Sequence, residues 1–278
     1  MMIASVIEFV RRRFGYGFPP LGRLAFDLVF KLSPGKVRTE LVPGVFADLD
    51  FSDEVQRATY WQGERFEYPT FPVLSQWVND GAKNFFDIGS NYGFFSFALL
   101  ARHPKLRANA FEPNPTTFAH LAEIKAQNAL EQLTVWNLGV SDECSTLSLH
   151  RGLTDSGHST FGKHPGLLSG AADSIEVLDF ESWRENARVA LPAAGDWIAK
   201  IDVEGFEMKV LSGMRPALEA RAFRGVVVEI NAFTLEFCGF KPEQIYAFMK
   251  EVGYKPLASL MGRDTSPRRD ANEYFVPA

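Results

Sequence analysis

The sequence predicts a doubly wound α/β fold, a mostly parallel sheet covered by helices on both faces, on three observations. An apolar run, Phe85-Phe86-Asp87-Ile88, breaks into the turn Gly89-Ser90-Asn91-Tyr92-Gly93 and resumes as Phe94-Phe95-Ser96-Phe97-Ala98-Leu99-Leu100. That is strand, loop and helix start, the opening of a nucleotide-binding sheet. Ala108-Asn109-Ala110-Phe111-Glu112 then reads as a second strand ending in a carboxylate, placed to accept hydrogen bonds from ribose hydroxyls. Beyond it, strand-like and helix-like periods alternate to the end of the chain.

Glycine at 89 and 93 is expected to let backbone approach a ligand, and the free N–H groups opening the helix favour an anionic group. The spacing separates cofactors. A dinucleotide fingerprint is G-x-G-x-x-G, whereas Asp87-x-Gly89-x-Asn91-x-Gly93 has asparagine at the middle glycine. An acidic residue opening such a loop resembles the motif of S-adenosylmethionine (SAM) methyltransferases, where it serves a sulfonium amino acid with a positive amine. Asp87, Gly89, Ser90, Asn91, Gly93 and Glu112 are then the cofactor-binding candidates. The plainer reading is a glycine-containing turn of another α/β protein.

At 278 residues with 46% hydrophobic side chains, the chain can bury one large core or a domain with an appendage. A net charge of -5 gives no electrostatic reason to expect a nucleic-acid partner. Cys144 and Cys238 lack metal-like spacing and read as reduced, buried or incidental thiols of a cytoplasmic protein. No run reaches the length of a membrane span, and no signal peptide is visible.

Ile3, Val6, Ile7, Val10 and Phe14 form one helical stripe beside Arg11-Arg12-Arg13. Such a helix packs on the main domain, or lies against a membrane surface or a partner. Pro19-Pro20 ends it, and Leu21 to Leu32 reads as a second helix. Val45 to Phe51 alternates as a strand, and the aromatics from Tyr60 to Tyr68 suit a small core or an acceptor pocket. Phe71 to Asn79 reads as a helix. Residues 1–80 are thus N-terminal helices with a small β subdomain, and 81–278 the ligand-binding domain.

After Glu112, Pro113-Asn114-Pro115 makes a turn, with Asn114 a further cofactor candidate, and Thr116 to Asn128 a helix. Leu133 to Val140 reads as the third strand. Ser141-Asp142 at its end is placed to hydrogen-bond an adenine amine, or simply makes a turn. Thr146 to His150 and Ser174 to Asp179 are short strands around a small polar loop holding His158. They form a hairpin-like insertion at about 145–180 that overhangs the strand ends, where ligands bind.

Trp197-Ile198-Ala199-Lys200-Ile201-Asp202-Val203-Glu204-Gly205 is an apolar strand carrying three alternating charges. Lys200, Asp202 and Glu204 should share one face of the strand line, as an internal ion pair or as part of a site. A helix Met208 to Ala220, a strand Val226 to Asn231 bearing Glu229, and a helix Pro242 to Val252 capped by Gly253 follow. Tyr254 to Leu260 and Glu273 to Val276 form a closing antiparallel pair.

Asp87-Ile-Gly-Ser-Asn-x-Gly93, Phe111-Glu112-Pro113, Gly139-Val-Ser-Asp142, Gly157-His-Ser159, Val177-Leu-Asp179 and Lys200-Ile-Asp-Val-Glu-Gly205 occur in the order seen in FkbM-type methyltransferases. The resemblance runs from about Val45 to about Lys255. It implies a class I SAM-methyltransferase (Rossmann-like) fold with a reversed C-terminal strand. It also implies SAM as cofactor and O-methyl transfer to a hydroxyl of a sugar, glycolipid, polysaccharide or secondary metabolite. A sulfonium methyl is already activated, so the enzyme aligns an oxygen nucleophile, excludes water and takes its proton. Asp202 or His158 is the expected base, with Lys200 and Glu204 fixing orientation and Asp202 also near the cofactor. No dedicated metal cluster is expected, although Asp202, Glu229 and Asn231 suit a divalent cation. Two other functions fit the fold class. A nicotinamide-dependent oxidoreductase is disfavoured by the Asn91 loop, and a non-catalytic SAM-fold scaffold by the intact Lys200–Glu204 strand end.

Overall fold

The computed structural model describes residues 35–152, 160–161, 168–192, 194–260 and 270–278. The two expected N-terminal helices and His158 lie outside these residues. Strands β1 (Lys36–Val42) and β2 (Val45–Asp50) pair antiparallel. The apolar side of this hairpin, with Val37, Leu41, Ala47 and Leu49, joins the core that holds Phe85, Leu99 and Leu121. Helix α1 (Glu54–Gln62) starts where the Asp53 carboxylate accepts the Gln56 N–H, and α2 (Thr70–Asn79) leads to the main sheet.

That sheet begins with β3 (Asn84–Ile88), α3 (Phe94–Arg102), β4 (Arg107–Phe111), α4 (Pro115–Gln127) and β5 (Leu133–Trp136). A separate three-stranded sheet follows, from β6 (Gly139–Ser141), β7 (Ser145–Gly152) and β8 (Leu168–Asp179), with β8 in its middle. The chain returns through α5 (Phe180–Asn186), β9 (Trp197–Ile201), α6 (Glu207–Gly213), α7 (Arg215–Glu219), β10 (Phe223–Asn231), α8 (Ala232–Phe237) and α9 (Pro242–Glu251). It closes with β11 (Tyr254–Pro256), α10 (Leu257–Leu260) and β12 (Asp270–Pro277).

The seven strands lie in the order β11-β12-β10-β9-β3-β4-β5, and β12 runs antiparallel to both its neighbours. This is the doubly wound sheet with a reversed C-terminal strand that the sequence predicts. The chain leaves β3 toward β4 on one side and re-enters at β9 on the other, so a crevice opens between their carboxyl ends. Phe86 anchors one face. Its ring lies 4.9 Å from Trp197, 5.3 Å from Phe180 and 5.7 Å from Phe223, most of them edge-on or tilted as aromatic quadrupoles prefer.

Three elements differ from their sequence expectations. The strand expected at Leu133 to Val140 splits, because Asn137 turns the chain by donating Nδ2 to the carbonyls of Glu112 (2.9 Å) and Pro113 (3.1 Å). The helix expected from Met208 to Ala220 breaks at Met214, since Pro216 lacks an N–H and crowds the preceding turn. Leu257 to Leu260 is a helical turn rather than strand. Cys144 is exposed and Cys238 half-buried, and both are free thiols. Among the described residues no helix is long and apolar enough to cross a membrane.

Candidate active site

The crevice at the switch point is a cavity of about 270 Å³. Its walls come from the loop after β3 (Gly89, Ser90, Asn91), the end of β4 (Glu112), the start of β6 (Gly139, Val140), and the ends of β9 and β10 (Asp202, Glu204, Glu229). Phe66, Phe94 and Phe95 form an aromatic side, and Leu149 and Phe161 close it from the β7–β8 insertion. Leu149 and Phe161 thus bring this part of the chain to the strand ends.

The loop after β3 is shaped by what lies beneath it. Gly89 has φ +79°, and a Cβ there would meet the Asp202 carbonyl oxygen at 1.8 Å; at Gly93 (φ +93°) it would meet Leu121 at 2.5 Å. Gly89 is therefore required by the backbone packed against it, and Gly93 by its left-handed φ, in addition to any ligand that approaches them. Asp87 is buried, and its Oδ2 accepts from the Ser96 hydroxyl (2.6 Å) and backbone N–H (3.2 Å). Burial pushes its carboxyl up to about 6 despite Lys200 and Ser96. Glu112 accepts the Asn114 N–H at 2.8 Å, yet burial holds it up at about 7.

Lys200 sits beside Asp87 in the β3–β9 register and is 3% exposed. Its Nζ lies 2.5 Å from Asp202 Oδ2, 3.5 Å from Glu67 Oε2 and 4.8 Å from the centre of the Phe95 ring. Burial alone would lower an ammonium, but the carboxylates of Asp202 and Glu67 outweigh it and keep the charge. Burial likewise raises Asp202, and Lys200 together with a hydrogen bond from Glu229 brings it below the usual carboxylate range. The matching effect falls on Glu229, raised well above its ordinary value by the Asp202 charge and by burial. The pair thus favours charge on Asp202 and disfavours it on Glu229. Glu67 is raised by burial against the pull of Lys200.

The strand ends at Ile201, so alternation does not carry Glu204 into place. A turn does, with Glu204 at φ +50° and Gly205 at φ +100°. Gly205 packs with its α-carbon against the Thr234 carbonyl, where a Cβ would lie 2.3 Å away. Glu207 Oε1 accepts the N–H groups of Val203 (3.2 Å) and Gly205 (3.1 Å), and the Thr160 hydroxyl donates to the Glu204 carbonyl at 2.7 Å. The carboxylates of Asp202, Glu204 and Glu229 converge within 4.8 Å, a set of hard oxygens that would accept a divalent cation.

Asp87, Gly89, Ser90, Asn91, Glu112, Lys200, Asp202 and Glu204 are all on the cavity wall. Gly93, Asn114, Ser141 and Asp142 are not. Asn114 caps α4 by accepting the Thr116 N–H at 3.0 Å, and Asp142 pairs with Lys209 at 2.8 Å. Sequence reasoning missed Glu67, Thr160 and Phe161. Glu67 stands in an aromatic run with no spacing that ties it to Lys200, 133 positions later; only the fold brings the two together.

A doubly wound sheet with reversed strand β12, and a crevice walled by the Asp87–Gly93 loop and Glu112, defines the class I SAM-methyltransferase fold. The chain belongs to the FkbM methyltransferase domain family, which matches residues 87–256, more than half of it. It is 29% identical over 178 residues to the hexuronic acid methyltransferase AglP of Haloferax volcanii, covering 64% of this chain. The match covers 66% of that relative, a little under two thirds of its length. The chain is also similar to a precorrin-6y C5,15-methyltransferase from Geobacter metallireducens (10% identity, 74% of this chain and 86% of that one, TM-score 0.41). A third likeness is to a SAM-dependent methyltransferase from Agrobacterium tumefaciens (11% identity, 87% and 70%, TM-score 0.43).

Proposed function

We propose that the protein is a SAM-dependent O-methyltransferase acting on a hydroxyl group of a sugar or related polyhydroxyl compound. The carrying observation is the Lys200–Asp202–Glu229 cluster facing the same cavity as Glu112 and the Gly89 loop. Family membership supports methyl transfer, and the relative named for hexuronic acid supports a sugar-like acceptor.

The wall suits the donor chemically. Glu112 offers a carboxylate to ribose hydroxyls, Leu138 and Val140 an apolar surface to an adenine ring, and Asp87 negative charge to a cationic group. When bound, SAM supplies an electrophilic methyl on sulfur. The chain's own part is to hold the acceptor hydroxyl in line, exclude water and accept its proton. Asp202 takes that proton in this reading, its carboxylate fixed by Lys200, with Glu204 beside it to orient the acceptor. His158, the other base that the sequence offers, lies outside the described residues.

Calorimetric titration with SAM, S-adenosylhomocysteine and NAD tests the donor. Both sulfur nucleotides should bind, and Glu112→Ala should abolish binding. Uptake of NAD alone would overturn the assignment. Asp202→Asn should then reduce turnover by about a hundredfold or more while leaving SAM affinity within a few-fold.

A further inference from the structure

We propose that Glu67 is a positioning residue of the reaction site: its carboxyl fixes the Lys200 ammonium and, through it, Asp202. The proposal rests on the methyltransferase reading, in which Asp202 takes the acceptor's proton. It adds a residue from outside the family's domain. Glu67 precedes, and its partner Asn272 follows, the stretch 87–256 that the family match covers.

A lysine ammonium is a point charge on a flexible four-carbon stem, so one partner fixes its direction poorly. Lys200 has two carboxyl partners, Asp202 Oδ2 at 2.5 Å and Glu67 Oε2 at 3.5 Å. The Phe95 ring adds a third contact, its centre 4.8 Å from the same nitrogen. Glu67 is itself held, since Asn272 donates Nδ2 to Oε2 at 3.0 Å. One oxygen of Glu67 thus faces both Lys200 and the C-terminal strand β12. Glu67, Lys200 and Asp202 all stand on the cavity wall.

The plainer alternative is a buried ion pair that only holds the fold together. Two observations favour the positioning role. First, the loop is fixed without the Glu67 side chain. The Glu67 carbonyl accepts the Thr70 N–H at 2.9 Å, the Thr70 and Tyr274 hydroxyls hydrogen-bond at 3.0 Å, and Phe71 is buried in the core. Second, Glu67 has φ +50°, a left-handed conformation that glycine or asparagine adopts at less cost. The backbone gains nothing from a glutamate there, so the carboxyl is what the position supplies.

The test uses the full chain, isotopically labelled at lysine Nζ for NMR. Donor binding is read first by calorimetry with S-adenosylhomocysteine, so failure of the methyltransferase reading shows itself separately. The Lys200 ammonium signal is identified by its loss in Lys200→Arg, and its hydrogen exchange with solvent is timed. Glu67→Gln keeps the volume and an oxygen for Asn272, and should speed that exchange about tenfold or more. Asn272→Ala should speed it about threefold, and add little in the Glu67→Gln background. Thr70→Val cuts only the neighbouring hydroxyl pair, and should change it by less than about twofold. Methyl glycosides of glucose, galactose, mannose and glucuronic acid serve as acceptors for kinetics. With those that turn over, Glu67→Gln should lower kcat about tenfold and leave the acceptor KM within about twofold. Unchanged ammonium exchange in Glu67→Gln would overturn the proposal. So would an equal effect of Thr70→Val, or a kinetic loss confined to KM.

Discussion

Gly89 lies directly over the backbone of Asp202, so that a Cβ at position 89 would sit 1.8 Å from the Asp202 carbonyl oxygen. The Asp202 N–H meanwhile donates to the Ile88 carbonyl at 3.0 Å. The loops after β3 and β9 are thus one unit. Gly89→Ala is expected to lower stability by more than about 2 kcal/mol, combining a backbone clash with strain at positive φ. Donor binding should fall with it. Thermal unfolding and calorimetry check this, and wild-type values for both would refute the contact.

Lys200 holds together a cluster that is otherwise all carboxyl. Lys200→Met should cost about 3–5 kcal/mol near neutral pH, because Asp202 and Glu67 lose their counter-charge while staying largely buried. Lower pH should recover part of the loss as those carboxyls protonate. Denaturant titration at two pH values reads both effects.

Glu207 gives a pH dependence with a definite sign. Burial raises it from 4.5 to about 7, and its Oε2 has no hydrogen-bond partner. A raised carboxyl contributes stability that is complete below 4.5 and lost as pH climbs through about 7. Glu112, also at about 7, acts in the same direction. Unfolding free energy of the ligand-free protein should fall by about 1–3 kcal/mol between about pH 5 and pH 8. Glu207→Gln keeps an oxygen for the Val203 and Gly205 N–H groups, and should flatten part of that slope. An unchanged slope would show that Glu207 does not titrate there.

The Asp202–Glu204–Glu229 set raises the question of a metal. Lys200 already neutralises Asp202, and the Asp202 charge together with burial disfavours the ionised Glu229 that a cation would require. Turnover is therefore expected to survive EDTA. Loss of activity restored by Mg2+ would make the three carboxylates a metal site.

Thr160 ties the insertion to the site through the Glu204 carbonyl at 2.7 Å. Thr160→Val removes that donor at nearly constant volume, and should cost about 1 kcal/mol and raise the acceptor KM more than it lowers kcat. Steady-state kinetics separate the two parameters.

The chemistry-bearing loops were legible because their causes are local. Strand apolarity at Phe85–Ile88, the carboxylate ending β4 at Glu112, and the strand Trp197–Ile201 are set by short stretches that must be buried or must turn. Alternation also placed Lys200 and Asp202 together correctly, since both lie within or next to one strand. It did not place Glu204, which depends on a left-handed turn held by Glu207, Thr160 and the Thr234 backbone. Nor did it reveal that Ser141 and Asp142 would leave the main sheet with β6, since a hydrogen-bonding Asn137 decides that turn. The sequence by itself determined the sheet and its reversed strand β12, because periodicity acts within a few residues, while the class of chemistry followed from the resemblance of its Asp87–Gly93 and Lys200–Gly205 stretches to a known family. Only the tertiary structure decided that Glu67 meets both Lys200 and Asn272, each more than a hundred positions away in the chain. Pairing a buried charge depends on which segments the packed core brings within 4 Å, and no local pattern encodes that.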